Sequence, residues 1–192
     1  MKRTLKVLNE LEAQGVFARY AIGGAMAATF YTEPVLTFDL DVFVLFGSGV
    51  GGLVSLSPIY EVLRARGYGE EKEHDVQGCR RVDRRGRVVT RPSNREIASQ
   101  CVLIEGLPVR FLPAYNSLIE EALTQSREID YEGVPTRVVR AEHLVAICLQ
   151  TGRAKDRARV ALLREQSHLD LTFLADVLRR YSLEEKWKSW TE

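Results

Sequence analysis

Two aspartates separated by one residue, Asp39 and Asp41, are the side chains of this sequence with the clearest capacity for chemistry. They lie in the apolar run Leu36 to Phe46, which predicts a buried strand. Residues two apart in a strand point to the same side, so both carboxylates are expected to face one site while Leu40 and Val42 point into the core. Magnesium prefers oxygen ligands such as carboxylates, and it would relieve the repulsion between these two. The alternative is a pair of solvated acids at the entrance of a strand, because an isolated Asp-x-Asp arises often by chance.

A pair of glycines, Gly23-Gly24, is the second candidate. It follows the apolar run Val16 to Ile22, which predicts a strand, and precedes the alanine-rich stretch Ala25 to Tyr31, which predicts a helix. Glycine lets the backbone approach a phosphate closely, and the free N–H groups at a helix start favour an anion. An ordinary turn between a strand and a helix is the alternative.

The two motifs together are more specific than either one alone. Ala21 to Ala27, followed by Asp39 to Val44 about fifteen residues after the glycines, resembles the DNA polymerase beta-like nucleotidyltransferase superfamily. The resemblance implies that Asp39 and Asp41 are catalytic and bind Mg²⁺. It also implies that Gly23 and Gly24 bind the phosphates of a nucleoside triphosphate.

A distal stretch of the chain supports the same resemblance. Arg140 to Leu149, followed by Gly152 to Arg159, is similar to the distal helices of the abortive-infection (AbiEii-like) nucleotidyltransferases. The similarity implies that Lys155 and Asp156 complete the nucleotide site, with the lysine placing a cation on triphosphate oxygens. It also implies a toxin of a toxin–antitoxin pair, with RNA or protein as acceptor and a cognate antitoxin as partner. A solvated, charged helix end is the alternative.

Two positions depart from the family pattern. Cys148 stands where family members often carry a lysine, and Arg110 stands at the expected place of a third acid. An arginine cannot bind magnesium, and Glu105, across the turn at Gly106, is the alternative acid. These departures leave open a degenerate nucleotidyltransferase fold that binds nucleotide or nucleic acid without turnover.

The order of the predicted elements indicates an α/β (α+β) fold with a small mixed sheet flanked by helices. Hairpins are expected to turn at Gly106 and Gly133, and the chain from 141 onward is expected to be helical. We therefore predict a nucleotidyltransferase-like α/β domain over 1–140 and a C-terminal helical region over 141–192. Within the first domain, the segment of residues 75–100, approximately, is rich in arginine, which indicates a basic insertion. It is either a flap that contacts nucleic-acid phosphates or a solvated loop.

Composition restricts the classes of partner. The 192 residues carry a net charge of only +1, so any attraction to nucleic acid must come from a local patch. We expect neither a signal peptide nor a membrane span. The three cysteines form no Cys-x-x-Cys pair, which predicts reduced thiols in a cytoplasmic protein.

Overall fold

The computed structural model of the chain describes residues 1–34, 36–47, 55–69 and 101–192. The predicted basic insertion at about 75–100 lies outside the described residues. Within them, a six-stranded mixed sheet is flanked by eight helices, which confirms the predicted α/β class. The predicted division into domains at residue 140 stays a prediction.

The bounds of the elements within the described residues are as follows. The helices are α1 (Lys2–Ala13), α2 (Gly24–Ala28), α3 (Ser57–Ala65), α4 (Ser117–Thr124), α5 (Ala141–Thr151), α6 (Ala154–Gln166), α7 (Leu171–Arg180) and α8 (Glu184–Thr191). The strands are β1 (Arg19–Ile22), β2 (Leu40–Leu45), β3 (Cys101–Ile104), β4 (Leu107–Pro113), β5 (Arg127–Tyr131) and β6 (Val134–Val138). Both predicted hairpins are confirmed, and the helical region from 141 onward is interrupted at Gly152 and Ser167.

The sheet order, β3-β4-β2-β1-β6-β5, brings distant parts of the chain to one edge. Strand β2 runs parallel to β4 and antiparallel to β1, and Ile22 at the end of β1 pairs with Val42. Leu40 at the start of β2 pairs with Val109 near the start of β4. The end of β1 and the starts of β2 and β4 therefore meet, and this edge carries the predicted motifs.

The core is formed by apolar side chains from the helices and from the sheet. Leu5, Leu8 and Leu11, at helical spacing on α1, are fully buried. Leu40 and Val42 alternate along β2 and are fully buried, as predicted, and Val44 continues the same buried face. Burial of these side chains holds β2, and so the residues at its start, in one position relative to the neighbouring strands.

Strand β2 is shorter than predicted, because it begins at Leu40 and not at Leu36. A strand needs a ladder partner, and β1 and β4 provide partners only from Leu40 onward. Leu36 and Phe38 are accordingly exposed, by 84% and 61% of their surface. Asp39 thus lies just before the strand and Asp41 within it.

Two predictions about the environment of the protein have different outcomes. No helix in the described part of the chain is both long and apolar enough to span a bilayer. Cys148 is a buried free thiol, but Cys101 is disulfide-bonded, so the prediction of reduced thiols is wrong for Cys101. Disulfides are rare in reducing compartments, so the cysteines no longer favour the cytoplasm, and that location stays a prediction.

A polar cluster around Glu121 joins α4 to α5 and α7. Its carboxylate accepts hydrogen bonds from Arg180 and from the hydroxyl of Tyr181 (2.6 Å), and it lies 3.0 Å from Nε2 of buried His143. Burial alone would raise the pKa of Glu121, but the hydrogen bonds from these three partners outweigh it and lower the pKa to about 2. The ionised carboxylate therefore stabilises the packing of three helices.

Because this cluster needs an ionised Glu121, we expect low pH to destabilise the folded protein. The pKa of Glu121 is lower in the folded protein than its ordinary 4.5, so its contribution to stability is full above pH 4.5 and is lost as pH falls towards 2. We expect Glu121→Gln to lower the free energy of unfolding at pH 7 by about 2 kcal/mol and to flatten its decline below pH 4.5. Urea unfolding at several pH values measures both. Glu120→Gln, at an exposed site on the same helix, should change neither, and a full acid decline in Glu121→Gln would contradict the assignment.

Candidate functional site

The Gly23-Gly24 turn packs against the first residues of β2. The N–H of Gly23 donates to the carbonyl oxygen of Asp41 at 2.8 Å. A Cβ on Gly23 would lie 2.2 Å from Cε2 of Phe43, and one on Gly24 would lie 2.1 Å from Oδ2 of Asp41. Gly24 also has a φ of +61°, which disfavours other residues. Glycines at these two positions therefore let the start of α2 approach Phe43 and Asp41 closely.

Substitution of Gly24 should damage the site as well as the fold. In Gly24→Ala the methyl group meets the Asp41 carboxylate and the backbone is strained, so we expect a loss of about 2 kcal/mol or more in stability. The matched control is Gly67→Ala, where φ is +85° but no described residue lies within 4 Å of a Cβ. It should cost about 1 kcal/mol, from strain alone. Thermal unfolding compares the two, and equal losses would show that contact with Asp41 is unimportant.

Asp39 and Asp41 do come together, and they do so around Arg110. Arg110 pairs in register with Asp41 across β2 and β4. Its Nη2 binds Oδ2 of Asp39, and its Nη1 lies 3.4 Å from Oδ1 of Asp41. The expected place of a third acid is therefore occupied by a guanidinium that contacts both carboxylates. Glu105, the alternative acid, accepts a hydrogen bond from the hydroxyl of Tyr68 at the hairpin turn (2.8 Å), and its role as a substitute stays a prediction.

Asp41 is held in an environment that disfavours its charge. Burial raises the pKa of Asp41, while the positive charges of Arg110, Arg159 and Lys155 oppose the rise and the neighbouring Asp39 adds to it. Oδ1 of Asp41 is buried without a hydrogen-bond donor among the described residues. A cation placed at this oxygen would relieve an unfavourable arrangement.

The first turns of α6 supply cations to the same edge. Arg153, Lys155 and Arg159 all lie near enough to Asp41 to interact with its charge. Lys155 is exposed, as a residue that meets a ligand would be. Arg159 is only 15% exposed, and its Nη1 donates to the Sγ of Cys148 at 3.9 Å. Arg159 thus places a cation beside Cys148, at the position where the resemblance implies a lysine.

Asp156 is fully buried, and both of its oxygens are engaged within the protein. Oδ2 accepts from Nε of Arg153 (2.6 Å) and from Oγ1 of Thr151 (2.8 Å), while Oδ1 accepts from Nη2 of Arg153 (3.0 Å). Arg159 lies 3.5 Å from Oδ1. Asp156 therefore orients two arginines, and direct contact with a nucleotide stays a prediction. Sequence reasoning missed both arginines, although they stand three residues on either side of Asp156, at helical spacing.

The two carboxylates suit a divalent cation whose remaining ligands are phosphate oxygens and water. The described residues contain no group of three or more side chains suited to holding a metal. Magnesium is nevertheless commonly bound by one or two carboxylates with phosphate oxygens and water, and Asp39 and Asp41 lie close enough to contact one guanidinium. The buried, donorless oxygen of Asp41 suits such an ion, while Arg110 competes with it.

Comparison with known proteins finds no family model that matches the chain and no curated protein whose sequence matches it. The resemblance to nucleotidyltransferases therefore depends on the motifs, and the roles of Asp39, Asp41, Gly23, Gly24, Lys155 and Asp156 stay predictions.

Proposed function

We propose that this chain is a nucleotidyltransferase that moves a nucleoside monophosphate from a nucleoside triphosphate to an acceptor. One observation carries the proposal: an acidic pair, a glycine turn and the basic start of α6 meet at one edge of the sheet. They come from three segments that are distant in the sequence. Two carboxylates beside several cations suit a metal–triphosphate complex, which carries both charges.

The proposed reaction is a displacement at the α-phosphorus. An acceptor oxygen forms a bond to that phosphorus, the bond to the oxygen that bridges to the β-phosphate breaks, and pyrophosphate leaves with the electron pair. The acceptor loses its proton to solvent. Bound Mg²⁺ would neutralise charge on the phosphates and polarise the α-phosphoryl group.

The residues of the chain contribute binding and orientation. Asp39 and Asp41 would hold the metal, and the closely approaching backbone at Gly24 would receive a phosphate. The N–H of Gly23 donates to Asp41, so Gly23 would contribute the close approach of the turn. Lys155 and Arg159 would bind the remaining phosphate oxygens. Catalysis of phosphoryl transfer depends mainly on positioning of the reactants and stabilisation of charge, so no side chain needs to form a covalent intermediate.

A transfer assay tests this proposal. Protein, Mg²⁺ and each labelled nucleoside triphosphate are incubated in turn with total RNA and with cell lysate, and label on RNA or protein is measured. We expect one or more nucleotides to label a macromolecule and EDTA to prevent it. An Asp39→Ala, Asp41→Ala double variant, purified in the same way, controls for contaminating enzymes. Absence of label with all four nucleotides would reject the transferase. Label on RNA would agree with the toxin role that the resemblance implies.

A second candidate, a nucleotide-binding module without turnover, is favoured by Arg110. Its guanidinium contacts both acids at the place of a third metal ligand, which would weaken metal-dependent chemistry. This candidate predicts that ATP raises the melting temperature without any product. The Arg110→Asp variant separates the two. It restores an acid at that position, so transfer that appears only in this variant would identify the natural chain as the binding module.

A further inference from the structure

Arg110 occupies the space between the two carboxylates of the acidic pair. It contacts both Asp39 and Asp41, and the exposed fractions of these three side chains are only 20–23%. The parallel register of β2 and β4 places Arg110 opposite Asp41. The contact therefore follows from the backbone pairing, and Arg110 places one positive charge directly on both carboxylates.

A free divalent cation must compete with this arginine. The guanidinium is always charged and has only donors, so it repels a metal ion and cannot ligate one. Nε of Arg110 is buried and has no hydrogen-bond acceptor in the described part of the chain, so attraction to the two carboxylates is its main compensation. A metal that arrives on a triphosphate differs, because the phosphate oxygens offer the displaced guanidinium new acceptors.

We infer that Arg110 excludes free divalent cations from the acidic pair, so that metal enters only together with the triphosphate. The second half of this statement rests on the proposed function. The first half concerns metal alone and is independent of any transfer reaction. The arginine then acts as a selective counter-ion, which yields to a metal–nucleotide complex and not to the metal.

Binding of Mn²⁺ without nucleotide tests the exclusion directly. Free Mn²⁺ is followed by its electron paramagnetic resonance signal during titration of wild type, Arg110→Gln and Arg110→Lys. We expect Arg110→Gln to bind Mn²⁺ about tenfold or more tightly than wild type, because a positive charge has been removed from beside the metal. Arg110→Lys keeps the charge and should resemble wild type.

Arg137→Gln is the matched control. Arg137 is similarly buried, 23% exposed, and pairs with Glu12 at 2.7 Å. It lies on β6, which is separated by β1 from the strand that carries Asp41. It should bind Mn²⁺ as wild type does. Asp39→Asn added to Arg110→Gln should remove the gained binding, which would place the ion at the pair. If Arg110→Gln fails to fold by circular dichroism, Arg110→Met takes its place.

One result would overturn the exclusion: a folded Arg110→Gln protein that binds Mn²⁺ no more tightly than wild type, whether both proteins bind the ion or neither does. A second experiment uses a non-hydrolysable nucleoside triphosphate saturated with Mn²⁺, and ultrafiltration should then retain more of the metal with wild-type protein than in a protein-free control, because the nucleotide alone also binds Mn²⁺. Failure there counts against the proposed nucleotide site, while a gain in the nucleotide-free titration supports exclusion independently.

Discussion

Asp41→Asn is expected to reduce nucleotidyl transfer by about a thousandfold while leaving the protein folded. The amide keeps the shape of the side chain but removes the charge, and with it one of two proposed metal ligands. Asp41 lies within β2 beside Gly24, and Asp39 would remain as the single carboxylate of the pair. Initial rates of label incorporation at saturating nucleotide measure the effect.

We expect the Asp41→Asn variant to fold with nearly wild-type stability, because burial already disfavours the charge of Asp41. We expect its melting temperature to stay within about 3 °C of wild type. The control is Asp130→Asn, at an exposed turn where the carboxylate accepts the N–H of Gly133; it should keep full transfer. Transfer by Asp41→Asn within tenfold of wild type would remove Asp41 from the proposed site.

Asp156→Ala is expected to lower the free energy of unfolding by about 3 kcal/mol. The substitution removes the acceptor of the Arg153 and Thr151 hydrogen bonds and leaves Arg159 without its partner. It also removes the side-chain cap of α6, since Oδ2 accepts the backbone N–H of Arg153 at 3.2 Å. Urea unfolding monitored by circular dichroism gives the magnitude.

The same variant tests whether Asp156 orients the two arginines. Without it we expect nucleotide affinity to fall by about tenfold, because Arg153 and Arg159 lose their fixed directions. Asp170→Ala is the matched control: Asp170 caps α7 through a single hydrogen bond to the N–H of Phe173. It should cost about 1 kcal/mol and leave nucleotide affinity unchanged. If both variants lose equal stability, the buried network around Asp156 contributes nothing beyond a helix cap.

Local signals in the sequence predicted much of the fold. The turns at Gly106 and Gly133 were predicted because glycine tolerates positive φ, and their φ values are +81° and +80°. The alternation of Leu40 and Val42 in β2 identified its buried face. The start of β2 was predicted wrongly because apolar character continues to Leu36, whereas the ladder partners do not.

By itself the sequence determined the local elements and the candidate motifs, because periodicity and turn chemistry act between near neighbours. It also suggested that Arg110 replaces an acid. Only the tertiary structure decided that this arginine contacts both aspartates, since Arg110 and Asp39 are 71 residues apart and meet through the register of β2 and β4. It likewise decided that Asp156 is buried against Arg153 and Arg159. Which strands pair, and which helix covers their edge, depends on long-range packing that no local pattern encodes.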